Sequence, residues 1–269
     1  YVYMEGEGLH IVLASERLWH IWGFPITSSL MTAWLVMAIL LVFAILVGGR
    51  LKMIPGKVQN VAEMAFEYVF GYVEQTLGSY KLARRYFPLI ATIFIFILTA
   101  NWLHFFPIFG TVGITHVDEA THHEEFLPLF HSANADLNTT LALAIISFFV
   151  IEISGILTLG FLKYGSKFVN VRHGAMNFIV GLLELVGNLA RLISFSFRLF
   201  GAIFAGEVLL LVIGSFLPYV VPVPLMAFEM FIGLLQAAIF AILTLAFIKL
   251  AIAEPHGSNA HEPVHAGGH

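Results

Sequence analysis

Residues 177–216 read NFIVGLLELVGNLARLISFSFRLFGAIFAGEVLLLVIGSF, and this stretch carries only four charges, Glu184, Arg191, Arg198 and Glu207. As a helix it would rise roughly 60 Å, about twice the hydrocarbon core of a bilayer, so it must cross obliquely or bend. A guanidinium at bilayer depth costs at least about 2.5 kcal/mol on insertion scales, and arginine cannot shed its proton to escape that cost. Arg198, near the middle, is therefore the first candidate for a functional charge. Glu184, Arg191 and Arg198 follow one another at seven-residue steps, which drift by only about 20° around a helix. Together with Asn188 and Ser194 they draw one polar stripe. Glu207 lies nine residues past Arg198, half a turn away in angle, and faces other neighbours.

The rest of the chain has the same character. Its residues are 59% hydrophobic and 11% charged, with 26 Phe and a mean hydropathy of +0.90, against about 25% charged in soluble domains. This is the composition of an integral membrane protein of one domain, 1–269. The absence of cysteine excludes disulfides and thiolate metal sites. A net charge of -4 gives no electrostatic case for nucleic acid as a partner. Residues 1–27 hold acidic and aromatic residues where a basic signal-peptide start would lie, so no cleavable signal is expected.

Apolar runs of spanning length occur at 28–48, 87–107, 137–162, 177–216 and 224–252, which predicts five crossings. Between the first two, VQNVAEMAFEYVFGYVEQTLG places Glu63, Glu67 and Glu74 on one helical face and Val58, Ala62, Ala65, Val69 and Val73 on another. Opened by Pro55 and Gly56 and closed by Gly78, the segment 56–80 reads as a helix on the membrane surface. The expected fold is all-α and polytopic, with that amphipathic helix and a long oblique helical hairpin in the C-terminal half. Basic residues orient it. Arg50, Lys52, Lys57, Lys81, Arg84, Arg85, Lys163, Lys167 and Arg172 all fall on one side, whereas the loop 108–136 has no Lys or Arg and carries five acids. By the positive-inside rule, segment 1–27 and that loop are outside and the tail 253–269 is inside.

Other polar residues at membrane depth have competing readings. Glu229 and Gln236 share a face of the last span, and Glu229 lies near the outer end, where Glu207 also arrives. Two converging carboxylates suit a proton access path; the competing reading is two snorkelling or mutually hydrogen-bonded interfacial acids. Asn101 and His104 could join the same vestibule or serve as packing residues. Glu152 could pair with Arg191 or Arg198, line an inner water path, or hydrogen-bond within the bundle. Glu184 could border that inner path or snorkel to the interface. Among twelve histidines only His104 falls in a predicted span, so no haem ligand pair is expected. His116, His122, His123 and His131 are expected in a solvated outer loop, and no metal or cofactor is expected in the tail histidines.

At SFSFRLFGAIFAGE, residues 194–207, the chain resembles the family of subunit a of the F-type ATP synthase. Pro55-Gly56-Lys57, Asp136 with Asn138, and LLQAAIF around Gln236 extend the resemblance over most of its length. The resemblance implies the stator half of a proton turbine, non-catalytic itself, working beside a ring of small proteolipid c subunits, the b-type peripheral stalk and the rest of the complex. It implies that Arg198 is the family's essential arginine, that Glu207 and Glu229 are outer-channel positions, and that Gln236 is the glutamine near the arginine. Glu184 and Arg191 fall at positions that border an inner half-channel. Two departures stand out: Ala202 occupies a position where many members place Asn, and Glu229 one where some place His, which makes the outer pair two carboxylates. The style of the loops points to a bacterial energy-transducing membrane. The alternative is a secondary proton-coupled transporter, for which internal repeats and broken helices would be expected and neither is seen. A purely structural anchor would not need Arg191 and Arg198.

Overall fold

The computed structural model of the chain describes residues 2–5, 8–11, 17–21, 24–48, 56–106, 112–117, 124–160, 164–165, 175–217 and 220–253. Long helices dominate them: α1 (Ser28–Gly48), α2 (Lys57–Leu77), α3 (Tyr80–Leu103), α4 (Leu137–Leu159), α5 (Ala175–Phe216) and α6 (Pro222–Ile252). All but α2 are long and apolar enough to cross a membrane, which gives the all-α polytopic architecture that the apolar runs predict. Helix α5 is continuous over 42 residues and contains no proline. Three short antiparallel hairpins were not foreseen: β1 (Val2–Glu5) with β2 (Gly8–Ile11), β3 (Arg17–Ile21) with β4 (Phe24–Thr27), and β5 (Gly113–Val117) with β6 (Glu124–Pro128). Each strand is four or five residues long, too short for alternation to stand out in the sequence.

Capping explains where the helices begin and end. Thr27 Oγ1 accepts the Leu30 N–H at 3.4 Å at the start of α1. Asp136 caps α4 by accepting the Asn138 N–H at 2.9 Å, and its second oxygen accepts the Ser29 hydroxyl at 2.5 Å, which ties the starts of α1 and α4 together. Helix α2 ends at Gly78, whose φ of 67° favours glycine and whose N–H returns to the Glu74 carbonyl. Edge-to-face contacts of Phe70 with Tyr80 and Phe87 close the α2–α3 corner.

The core lies along the seam of α3, α4, α5 and α6. Ile93, Ile97, Ala144, Phe195, Leu199, Ala237 and Phe240 form its middle, and small residues such as Ala144 and Ala237 let the helix backbones approach. Asn101 donates to the Gly233 carbonyl at 2.9 Å and Trp102 to that of Met230 at 3.1 Å, binding α3 to α6. A Cβ at Gly233 would lie 3.0 Å from the Asn101 Cβ, so a larger residue here would have to push the two helices slightly apart. Helix α5 is the least enclosed: only 11% of its spanning window is buried, against 44% for α6.

Candidate functional site

Polar side chains gather at two places along α5, with Arg198 between them. The first lies toward the C-terminal part of α5. Gly206 and Glu207 meet α6 there, and the segment before α4 brings in His131 through Asn134. The His104 Nε2, one residue past α3, stands 3.7 Å from one Glu207 oxygen, and the His131 Nε2 stands 3.5 Å from the other. Burial holds both imidazoles down at about 4, and His104 adds to the effect on His131. Both are therefore neutral at pH 7, so their contacts with Glu207 are not ion pairs.

Glu229, 5% exposed, reaches the same region from α6. Its carboxylate fits only because residue 206 is glycine: a Cβ there would fall 2.6 Å from Glu229 Oε1 and 2.8 Å from its Cδ. Two carboxylates in one low-dielectric pocket disfavour being charged together, so this arrangement suits the holding of a proton. Buried polar atoms without a protein hydrogen-bond partner concentrate here as well: His104 Nδ1, Asn134 Oδ1, Glu207 Oε1, Glu229 Oε2 and Gln236 Nε2. Each such atom would cost about 1–3 kcal/mol in a dry interior, so a row of them marks a place built for polar traffic. Asn134 extends the row by donating to the Asn101 Oδ1 at 2.7 Å.

The second cluster lies toward the N-terminal part of α5. Glu152 of α4 accepts from the Tyr164 hydroxyl at 2.8 Å and from Asn188 Nδ2 at 3.0 Å. Glu152 is thus hydrogen-bonded within the bundle, with no ion pair to Arg191 or Arg198 among the described residues, while Arg191 lies within its Coulombic reach. Arg191 lies 3.8 Å over the ring of Phe247, with Glu152 and Glu184 within Coulombic reach. Glu184 is half-buried and, with Arg191, lies within Coulombic reach of Tyr164.

Arg198 stands apart from both. It is exposed, its Nη2 reaches the Ser194 hydroxyl at 3.5 Å, and its guanidinium lies 6.0 Å from the Phe195 ring. Among the described residues no carboxylate lies within ion-pair distance of it. Gln236 is buried in α6, and no hydrogen bond joins it to Arg198 among the described contacts.

The polar stripe read from the sequence therefore divides. Asn188 turns inward to Glu152, whereas Ser194 and Arg198 face out of the bundle. One expectation is corrected: His131 is not a solvated loop residue but lies against Glu207, because the segment before α4 folds back between α1, α3 and α5. Reasoning from sequence also missed Ser132, Asn134, Tyr164 and the two glycines at 155 and 206. The one local signal for His131 and Asn134 was their closeness to the Asp136 cap. His116, His122, His123 and the tail histidines lie outside the described residues or their described side chains. No group with metal-ligand geometry occurs among the described residues.

Comparison with known proteins gives the family. The model of the ATP synthase A chain family matches residues 30–249. ATP synthase subunit a of Moorella thermoacetica is 31% identical over 234 residues, covering 86% of this chain and 94% of that protein. The subunit a of Campylobacter fetus is 33% identical over 245 residues, covering 90% and 96%. That of Campylobacter jejuni strain 81-176 is 34% identical over 226 residues, covering 83% and 89%. With most of its length matched and its polar residues arranged around a membrane-embedded arginine, this chain belongs to the family of subunit a of the ATP synthase, the proton-translocating membrane subunit of that complex.

Proposed function

We propose that the chain is the stator of a rotary proton turbine, supplying two offset half-channels to a ring of small proteolipid subunits. The observation that carries this reading is the placement of an exposed, unpaired Arg198 between two separate polar clusters on one helix. The outer half-channel runs past His131 and His104 to Glu207 and Glu229, and onward toward Gln236. A proton delivered there neutralises a ring carboxylate, which can then face lipid without a large desolvation penalty. After nearly a full turn it leaves past Ser194, Arg191, Asn188 and Glu184. Arg198 attracts the ionised ring carboxylate, favours release of its proton, and blocks a direct leak between the clusters. Each proton crossing supplies about 2.3 kcal/mol per 100 mV to ATP synthesis on other subunits.

The open face of α5, where Leu183 is 65% and Leu189 58% exposed, is the surface the ring and lipid would cover. Helix α2, with its acids on one face, lies on the bilayer surface, and the b-type peripheral stalk completes the stator. The membrane is a bacterial energy-transducing one, with the N-terminal segment outside and the tail inside, as the basic loops require. A solute transporter is disfavoured because α5 and α6 run without the breaks such binding sites use.

The test is directional labelling. Single cysteines at Glu184 and Arg191, placed in this Cys-free chain, should react with water-soluble thiol reagents added from inside, and cysteines at Glu207 and Glu229 with reagents from outside. Lipid-facing controls at Leu183 and Leu189 should label poorly. Reactivity from a single side at every polar position would mean one continuous pore and would end the half-channel reading.

The outer cluster makes a second prediction. Glu207→Gln and Glu229→Gln should each slow proton-driven synthesis by on the order of a hundredfold while the complex still assembles, the scale of losing one proton-transfer group. His131→Gln should slow it less, because His104 still faces Glu207. Since burial holds both imidazoles at about 4, the neutral forms persist as the outer pH falls from 7 to 5. Proton uptake should therefore show no inflection near 6.5, the ordinary histidine value. An inflection there that disappears in His131→Gln would show a water-exposed imidazole instead.

A further inference from the structure

Between α4 and α5 the chain places one aromatic residue where the sequence gives no hint of it. The Tyr164 ring is 5% exposed, and a Cβ at Gly155 of α4 would fall 2.3 Å from it. Gly155 therefore leaves a notch in α4 that the ring fills. At the bottom of that notch the Tyr164 hydroxyl donates to Glu152 Oε2, while Asn188 of α5 donates to Oε1. Both oxygens of one carboxylate are thus held from two different elements, by charge-assisted bonds of the stronger kind. Burial and the bond to Glu152 push the Tyr164 phenol well above the usual tyrosine range, so it remains a donor at every working pH. Glu152 is faced by Tyr164 from the connection and by Asn188 and Arg191 from α5; Glu184 lies within Coulombic reach of Tyr164 and Arg191, and α6 contributes the Phe247 ring under Arg191.

We propose that Tyr164 is a positioning residue for proton release, holding Glu152 against Asn188 as a fixed carboxylate station at the inner end of the path. The proposal rests on the half-channel reading above. Glu152 takes a proton arriving along α5 and passes it to water on the inner side, ending ionised as it began. A carboxylate left to choose its own rotamer would sample positions out of line with Asn188, and small misplacements of a transfer group are costly in rate. The notch at Gly155 matters for the same reason: it sets the depth at which the hydroxyl meets the carboxylate.

The experiment uses the whole complex in vesicles, with Tyr164→Phe, Glu152→Gln and the double variant compared beside Arg198→Ala. Tyr164→Phe keeps the ring in its notch and removes only the hydroxyl. It should assemble normally, lower the synthesis rate about two- to tenfold, and shift the dependence of that rate on inner pH. Glu152→Gln should lower the rate at least as far and remove the shift, and the double variant should be no slower than Glu152→Gln alone, as expected for residues acting as a unit. A Tyr164→Phe variant with the normal rate and inner-pH profile, or a double variant slowed by the product of the single effects, would reduce Tyr164 to a filler of space. If that happens while Arg198→Ala is silent, only this proposal falls. Synthesis surviving in Arg198→Ala would bring down the half-channel reading and this proposal with it.

Discussion

Arg198→Ala is expected to abolish both ATP-driven proton pumping and proton-driven ATP synthesis in reconstituted vesicles. The residue is exposed on the least enclosed helix, and no described carboxylate neutralises it, so the cost of its insertion is not recovered within the chain. A charge held at that cost must meet its counter-charge elsewhere, and alanine can offer a ring carboxylate nothing. Arg198→Lys should fail in most part too. Ser194 and the Phe195 ring hold a planar fork in place, and a flexible ammonium that can lose its proton does not reproduce a permanent, oriented charge. Passive proton leak through the membrane sector of Arg198→Ala should rise if, as proposed, the same charge separates two half-channels. Near-normal synthesis in that variant would refute the role given to it.

Gly206→Ala is expected to approach the effect of removing the Glu229 carboxylate itself, and it separates function from stability. Exchanging glycine for alanine inside a helix ordinarily favours the helix by up to about 1 kcal/mol, so the complex should assemble at least as well as before. The added methyl would meet the Glu229 carboxylate at 2.6 Å. The carboxylate is the free end of a flexible side chain, so it swings away and the helices need not part. Glu229 then leaves Glu207, and synthesis should fall on the order of ten- to a hundredfold, the scale of an ångström-sized misplacement of reacting groups. Adding Glu229→Asp, whose shorter stem withdraws the carboxylate from the methyl, should restore part of the rate. Full activity in Gly206→Ala would show that Glu229 does not work from its place beside Gly206.

The spans were legible because a bilayer demands one property, apolarity sustained for about twenty residues, and that is a local feature of sequence. Helices α1, α3, α4, α5 and α6 follow from it directly. The Arg198 site was legible for a related reason: a charge inside an apolar run stands out, and helical phase separates Glu207 from Arg198. What escaped reading depends on contacts between distant segments. His131 meets Glu207 across 76 positions, and Asn188 meets Glu152 across 36. No periodicity encodes such pairs, and a histidine in a polar loop looks the same whether it is solvated or folded inward. Gly155 and Gly206 were invisible because a missing Cβ reports a neighbour only when the neighbour is known. The short hairpins escaped because four residues hold at most two alternations.

Helix α5 also bears on how such a chain can change over time. It runs from Ala175 to Phe216 without a proline, so every group on it is locked to every other by helical phase. Losing one residue between Asn188 and Glu207 would turn the two polar clusters against each other by about 100°, and carry either Glu207 from His131 or Asn188 from Glu152. Gaining seven would nearly restore the angle but slide the clusters apart by about 10 Å. Exchange of one apolar residue for another at Leu185 or Leu189, both more than half exposed, disturbs neither. The apolar residues at such outward positions can thus be exchanged for one another, whereas any change of length between the two clusters would part the groups that meet there.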